Sequence, residues 1–229
     1  MNKVSSIIVT VIFFLGAASL EATRLVTYKF RGQTRAGVWL EEGIIDLNRA
    51  YEHLLKDQGK PRAKARAEAV VPSTTLELLQ GQDESLTAAK EAIAHIGRRL
   101  ARGETQKLKH EGILFSHQEV ELAAPLPNPP HLLSIGLNYR AHAEETGNEI
   151  PLFPTVFTKE GTVIGPGEPI VVPGTVKEPD YEVELAFIMS RPATRVSKQD
   201  ALDYVAGYMT FKDVSARDIQ GRVSQWTVG

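Results

Sequence analysis

Between Ala124 and Pro130 the chain reads Ala-Pro-Leu-Pro-Asn-Pro-Pro, four prolines in seven residues. Proline has no amide hydrogen and a fixed φ, so neither a helix nor an interior strand can run through this stretch. The chain is therefore expected to build one unit before it and another after it, with residues 124–130 as a linker. At 229 residues there is material for a smaller N-terminal domain over 22–123 and a second domain over 131–229.

The first part mixes short strands and helices. Arg24-Leu-Val-Thr-Tyr-Lys-Phe30 alternates and is rich in β-formers, Ala36-Gly-Val-Trp-Leu40 follows a turn at Gly32, and Ile44-Ile-Asp-Leu47 follows Gly43. Together they predict a small antiparallel meander. Asn48 to Lys56 reads as a helix stopped at Gly59-Lys-Pro61, and Ser73 or Thr74 caps a short helix through Leu79. The longest helix is expected over Ser85–Leu100, where Leu86, Ala89, Ile93, Ile96 and Leu100 recur at helical spacing. After the linker the pattern changes to strands at 132–135, 155–158, 169–172, 183–189 and 206–211, with one helix at 197–205 capped by Ser197. The whole reads as β-rich α+β.

Composition excludes several classes. There is no cysteine, so disulfides, zinc–thiolate centres and thiol catalysis are ruled out. A formal net charge of −2 provides no general field for nucleic acid or anionic membrane. The basic run Lys60-Pro-Arg-Ala-Lys-Ala-Arg66 lacks interleaved aromatics and reads as a solvated loop or helix start. At the N-terminus Lys3 precedes the charge-free run Ile7–Leu20, which ends in small residues. This is the order of a secretory signal peptide, expected over residues 1–21 with cleavage near Ser19 or Ala22. Export to the periplasm or outside follows if it is cleaved, and a membrane anchor if it is not.

Three places can carry chemistry. In Asp180-Tyr-Glu-Val-Glu-Leu185, strand geometry puts Glu182 and Glu184 on one face. Paired carboxylates repel unless a cation sits between them, and a hard divalent ion with oxygen ligands answers that need. The alternative is the solvent face of an edge strand. Asp213, after the apolar run 206–211, is the candidate third ligand, with helix capping as its alternative. His142 and Glu145 lie three apart in Asn138-Tyr-Arg-Ala-His-Ala-Glu-Glu145 and share a face if the run is helical. A carboxylate on one imidazole nitrogen makes the other a better base; the alternative is a surface His beside a surface Glu. Lys159 follows an apolar Val-Phe and can offer a cation to a substrate carboxylate; the alternative is a solvated lysine after a strand. The other histidines, His53, His95, His110, His117 and His131, lie outside any constellation and read as structural or exposed.

Four segments in order, Gly136-Leu-Asn-Tyr-Arg-Ala-His-Ala-Glu-Glu145, Phe153-Pro-Thr-Val-Phe-Thr-Lys159, Asp180–Leu185 and Gly207–Gln220, resemble successive signatures of the fumarylacetoacetate hydrolase family. The resemblance covers about Leu132 to Gly229. It implies a mixed β-roll catalytic domain, usually a homodimer, that binds magnesium, manganese or calcium. Carried over by position, Glu182, Glu184 and Asp213 match the metal carboxylates and should converge on one ion. His142, Glu145 and Lys159 match the catalytic residues, and Arg217 and Gln220 match residues that orient substrate. The implied activity is hydrolysis of carbon–carbon bonds in small acylpyruvate-like or dicarboxylic keto acids. Enol–keto isomerisation, hydration or oxaloacetate decarboxylation run on the same machinery. No nucleic acid and no stable membrane insertion are implied.

Two departures stand out. Lys212 occupies a position where the family usually has a small polar residue. The chain also ends at Trp226-Thr-Val-Gly229, where the family continues with a Gly-Lys-Ser segment and further strands. That marks the β-roll as truncated, so a fragment with no turnover, acting only as a binding or oligomerisation module, is an expectation of another class.

Overall fold

The computed structural model describes residues 11–13, 23–222 and 226–229. In chain order the elements are β1 (Val11–Phe13), β2 (Thr23–Phe30), β3 (Gln33–Leu40), β4 (Gly43–Asp46), α1 (Leu47–Asp57), α2 (Ala63–Val70), α3 (Thr75–Gln80), α4 (Gln82–Ala101) and α5 (Thr105–His110). They continue with β5 (Leu114–Phe115), β6 (Glu121–Leu122), β7 (Leu133–Gly136), α6 (Arg140–Glu145), β8 (Thr155–Thr158), β9 (Pro179–Asp180), β10 (Val183–Met189), β11 (Val205–Lys212), β12 (Ser215–Ala216) and α7 (Arg217–Gln220). The class is the β-rich α+β expected. The chain divides into two compact units: residues 1–127 with 164–168 and 185–211, and residues 128–163 with 169–184 and 212–229. One division falls inside the proline stretch, between Pro127 and Asn128.

The first unit is built on the predicted meander. β2 and β3 pair antiparallel from Leu25↔Val38 to Phe30↔Gln33. Arg31 and Gly32 at the tip both have positive φ, 50° and 76°, the turn whose twist suits a hairpin. β3 pairs with β4 and β4 with β5, in one sheet of order β10-β11-β1-β2-β3-β4-β5 with β6 on β2. Gly43, at φ 140°, is required: a Cβ there would sit 2.2 Å from the Phe115 carbonyl oxygen. Ile44, Ile45 and Leu47 are buried with Val38, Leu78, Ile96 and Leu114. Each such burial contributes about 1.5–3 kcal/mol.

Asp46 joins sheet to helix. Its carboxylate caps α1 by accepting the Arg49 amide at 2.9 Å and also accepts from Tyr28 Oη at 2.6 Å and from Arg35. A carboxylate this deep costs solvation unless every lone pair is answered, and here the partners answer it. Burial, with Asp46 beside it, pushes the Tyr28 hydroxyl well above the usual tyrosine range. Thr74 caps α3 as predicted, accepting the Glu77 amide at 3.3 Å. The basic run proves to be a helix start: Arg62, at φ 56°, precedes α2.

Two expected elements are not formed. Residues 169–172 form no strand: Ile170, Val171 and Val172 stand exposed between Pro169 and Pro173, which lack the amides a ladder needs. Residues 197–205 form no α-helix but a turn and a short 3₁₀ segment at Ala201–Tyr204. Ser197 Oγ does accept the Asp200 amide at 3.2 Å, yet Leu202 is exposed, so a helix there would have no apolar contact to hold it. Of the expected leader, residues 1–10 and 14–21 lie outside the described residues, while β1 pairs with β2 and β11. Among the described residues no helix is long and apolar enough to cross a membrane.

Candidate functional site

Every candidate residue named from the sequence lies in the second unit. From Tyr181 to Ser190 the chain alternates between exposed and half-buried positions. Glu182 and Glu184 fall on the sheltered side, while Tyr181, Val183, Leu185 and Phe187 are 53–67% exposed. Glu182, just before β10, and Glu184 within it are the half-buried positions, while the apolar side chains alternating with them are the exposed ones.

Asp213 is buried at 7% exposure and follows β11 without capping a helix. Its amide donates to the Glu182 carbonyl at 2.9 Å, bringing the two backbones side by side. β12 then pairs with β9 through Ser215↔Asp180. The carboxylates are individually balanced. Lys159 Nζ lies 2.9 Å from Asp213 Oδ1, and Ser134 Oγ donates to Asp213 Oδ2 at 3.4 Å. Arg217 reaches Glu182 at 3.1 Å and Asp180 at 2.9 Å, and donates to Gln220 Oε1 at 2.8 Å. The Arg217 guanidinium, with the Tyr181 amide, holds Asp180 below the usual carboxylate range. Asn138 donates to Glu184 Oε2 at 3.2 Å. Asn138 follows Leu137, whose φ of 52° is unusual for a non-glycine residue and marks backbone held by its surroundings.

Lys159 thus serves first as the counter-ion of Asp213, and Arg217 as that of Glu182. Lys212 points away from this cluster: its ammonium stands over the exposed Tyr181 ring at 6.0 Å. His142 is half-buried on α6 and near enough to add to the field on Asp180, while Glu145 is exposed. No hydrogen bond or ion pair among the described residues joins His142 to Glu145, although the helix that puts them on one face does form. Asp180, Ser134 and Asn138 complete the network. Asp180 and Asn138 were legible as parts of their motifs, whereas Ser134 carried no signal beyond being polar.

The donor set fits a hard divalent cation. It consists of three carboxylates, one of them buried; Asp213 and Glu182 are now paired with cations that a metal would replace, and Glu184 with the Asn138 amide. The three do not bring their oxygens within 4.8 Å of one another, the convergence that the sequence led us to expect. Glu182, Glu184 and Asp213 would hold it. Among the described residues, however, the trio whose ligand atoms all lie within 4.8 Å of one another is His53, Asp57 and His95, in the first unit. Reading His53 and His95 as outside any constellation is thereby corrected: 42 residues separate them, and only the packing of α1 against α4 brings them together.

Comparison with known proteins agrees with this architecture. The chain is 32% identical over 200 residues to a mitochondrial oxaloacetate tautomerase of Xenopus laevis, covering 85% of this chain and 53% of that protein. It is 38% identical over 195 residues to an oxaloacetate tautomerase of Bacillus subtilis, covering 82% and 58%. The chain thus spans between half and three-fifths of the length of these relatives. Its fold resembles that of a fumarylacetoacetate hydrolase from the psychrophile Exiguobacterium antarcticum, with a TM-score of 0.57 and 21% identity over 90% of this chain and 61% of that one. Residues 131–229 match the fumarylacetoacetate (FAA) hydrolase C-terminal model, and this region is of the fumarylacetoacetate hydrolase family.

Proposed function

We propose that the chain carries the metal and proton-transfer residues of an enzyme acting on small dicarboxylic α-keto acids, with enol–keto tautomerisation of an oxaloacetate-like substrate as the first reading. The observation that carries it is the sheltered carboxylate set, Glu182 and Glu184 half-buried, with Asp213 buried and its amide on the Glu182 carbonyl. Bound there, magnesium or manganese would draw charge from a keto oxygen and favour its enolate. Lys159 and Arg217, freed from Asp213 and Glu182, are cations sited to take substrate carboxylates. His142 is the group to move the proton at the neighbouring carbon.

Tautomerisation is favoured over carbon–carbon hydrolysis for two reasons. Both relatives quoted above are oxaloacetate tautomerases. A tautomerase also needs a single proton carrier, whereas a hydrolase needs an oriented base to activate water, and His142 has no carboxylate partner at Glu145. Hydrolysis of an acylpyruvate is the second reading.

The test is manganese binding to the full chain with and without oxalate, a planar mimic of the enolate. It is paired with assays of enol-oxaloacetate ketonisation and acylpyruvate cleavage. The proposal expects oxalate to tighten manganese binding, ketonisation to outpace cleavage, and His142→Ala to slow it about 10²–10⁴-fold with metal affinity unchanged. Metal and oxalate binding without any turnover would favour the inert binding module instead. Export and a homodimer are further proposals, resting on the leader pattern and the family resemblance. The mass of the mature chain and sedimentation decide them, and cleavage near Ser19 would remove strand β1.

A further inference from the structure

Helices α1 and α4 lie side by side in the first unit, their contact made by Ala50 and Tyr51 against Ala92 and Ile96. On α1, His53 and Asp57 are one turn apart and share a face. His95 of α4 meets them. His53 Nδ1 is 3.1 Å from His95 Nε2 and 3.6 Å from Asp57 Oδ2, and His95 Nε2 is 3.3 Å from the same oxygen. A four-coordinate ion with bonds of about 2.0–2.1 Å holds neighbouring ligand atoms about 3.3–3.4 Å apart. The triangle on these helices has that size.

The shelter is graded as an open site requires. The His53 and His95 side chains are 19% and 12% exposed, while Asp57 is 52% exposed, so the face beyond the triangle opens to water. We propose that His53, Asp57 and His95 form a metal site for a borderline transition ion such as zinc, completed by water, that ties α1 to α4. Two imidazoles and one carboxylate select zinc, cobalt or nickel over magnesium, the reverse of the all-carboxylate cluster around Glu182. The site is therefore separate from the proposed catalytic one in both place and preference.

The second nitrogen of His53 fixes how the site loads. Arg99 Nη1 lies 2.9 Å from His53 Nε2, and a guanidinium can only donate. Without metal the His53 proton is therefore on Nδ1, aimed at His95 Nε2. The ion takes the place of that proton, which passes to Nε2. Because Arg99 Nη1 can only donate, Arg99 must then turn from Nε2 toward Glu104 and Glu111, leaving Nε2–H to Glu111 Oε2, 3.6 Å away. A carboxylate behind a ligating imidazole is the usual outer support of such sites. Arg99 is held by Glu104 at 2.9 Å and Glu111 at 2.8 Å, so two carboxylates balance its charge beside the ion. Arg98 is the other cation whose field reaches His95.

The experiment strips the full chain of metal and titrates cobalt(II), read by its four-coordinate visible absorption, and zinc, read by calorimetry and by the melting temperature. The expected result is one zinc or cobalt bound in preference to magnesium, with a raised melting temperature. His95→Gln should weaken it by more than about 100-fold, because even outer-support changes cost about 10–100-fold. Asp57→Asn, at an exposed position, gives a second reading should His95→Gln fold poorly. Glu184→Gln must leave the cobalt spectrum intact, which separates this site from the carboxylate cluster. Absence of cobalt absorption in the unaltered chain would overturn the proposal, as would a spectrum lost with Glu184→Gln but kept with both His95→Gln and Asp57→Asn.

Discussion

The parts of the chain before and after Asn128 treat their apolar side chains in opposite ways. Of the hydrophobic residues buried among those described, all but Ala143 and Ala206 precede Pro125. Every exposed large hydrophobic among them lies at or beyond Leu133, including Leu152 at 94%, Val171 at 84% and Phe153 at 82%. The early region buries its apolar side chains, with Ala206, Ile188 and Met209 of the later one packed against them, while the rest of the later one carries ion pairs such as Lys159–Asp213 and Arg217–Glu182. Each apolar side chain left open forgoes about 1.5–3 kcal/mol of burial. Stability is thus concentrated in the early region, and the later one is organised around charge.

That contrast can be broken most sharply at Lys159. Lys159→Met leaves Asp213 sheltered without its cation, and losing one partner of a buried pair costs about 3–5 kcal/mol. Amide exchange should show the loss in residues 128–163, 169–184 and 212–229, with β2–β4 unchanged, and excess manganese should reduce it. A uniform loss across both units would show that charge is no more important to one than to the other.

Next comes Ile45→Ala, which removes a fully buried side chain and should cost about 2–5 kcal/mol in denaturant unfolding. Leu185→Ala, at 63% exposure, should change stability by no more than about 0.5 kcal/mol. Equal losses at the two positions would erase the distinction. A smaller effect concerns the open face itself. Leu185→Ser with Phe187→Ser should lower apolar dye binding and self-association without lowering the unfolding midpoint.

Much of this architecture was legible. The meander, the Thr74 cap, the long helix and the strand at 183–189 follow from local period and turn chemistry, which neighbouring residues decide. The misses came where tertiary surroundings decide. Residues 197–205 carry helical spacing, but Leu202 has no surface to pack on, and the apolar run 169–172 lacks a partner strand between its prolines. At the site, the two-residue period agrees with the half-buried positions of Glu182, just before β10, and Glu184 within it. That period could not show that Arg217 and Lys159 would be their partners, nor that His53 would meet His95 across two helices.

The smallest effect is acid sensitivity in the early region. Arg99 holds Glu111 and Glu104 below the usual carboxylate range. A depressed folded-state value adds stability above the unfolded carboxylate pKa of about 4.3 and loses it as pH falls through the folded values. Thermal unfolding should therefore weaken below about pH 4, and Arg99→Gln should flatten that slope. An unaltered slope would show that these pairs contribute nothing to it.

The most direct test of a hard-cation site in the later region is manganese binding to the full chain, followed by the paramagnetic resonance of the free ion. One manganese per chain should bind, be lost with Asp213→Asn and with Glu184→Gln, and be kept with His95→Gln. Binding that survives both acidic substitutions, or that disappears with His95→Gln alone, would contradict the assignment of Glu182, Glu184 and Asp213 as the metal-holding set.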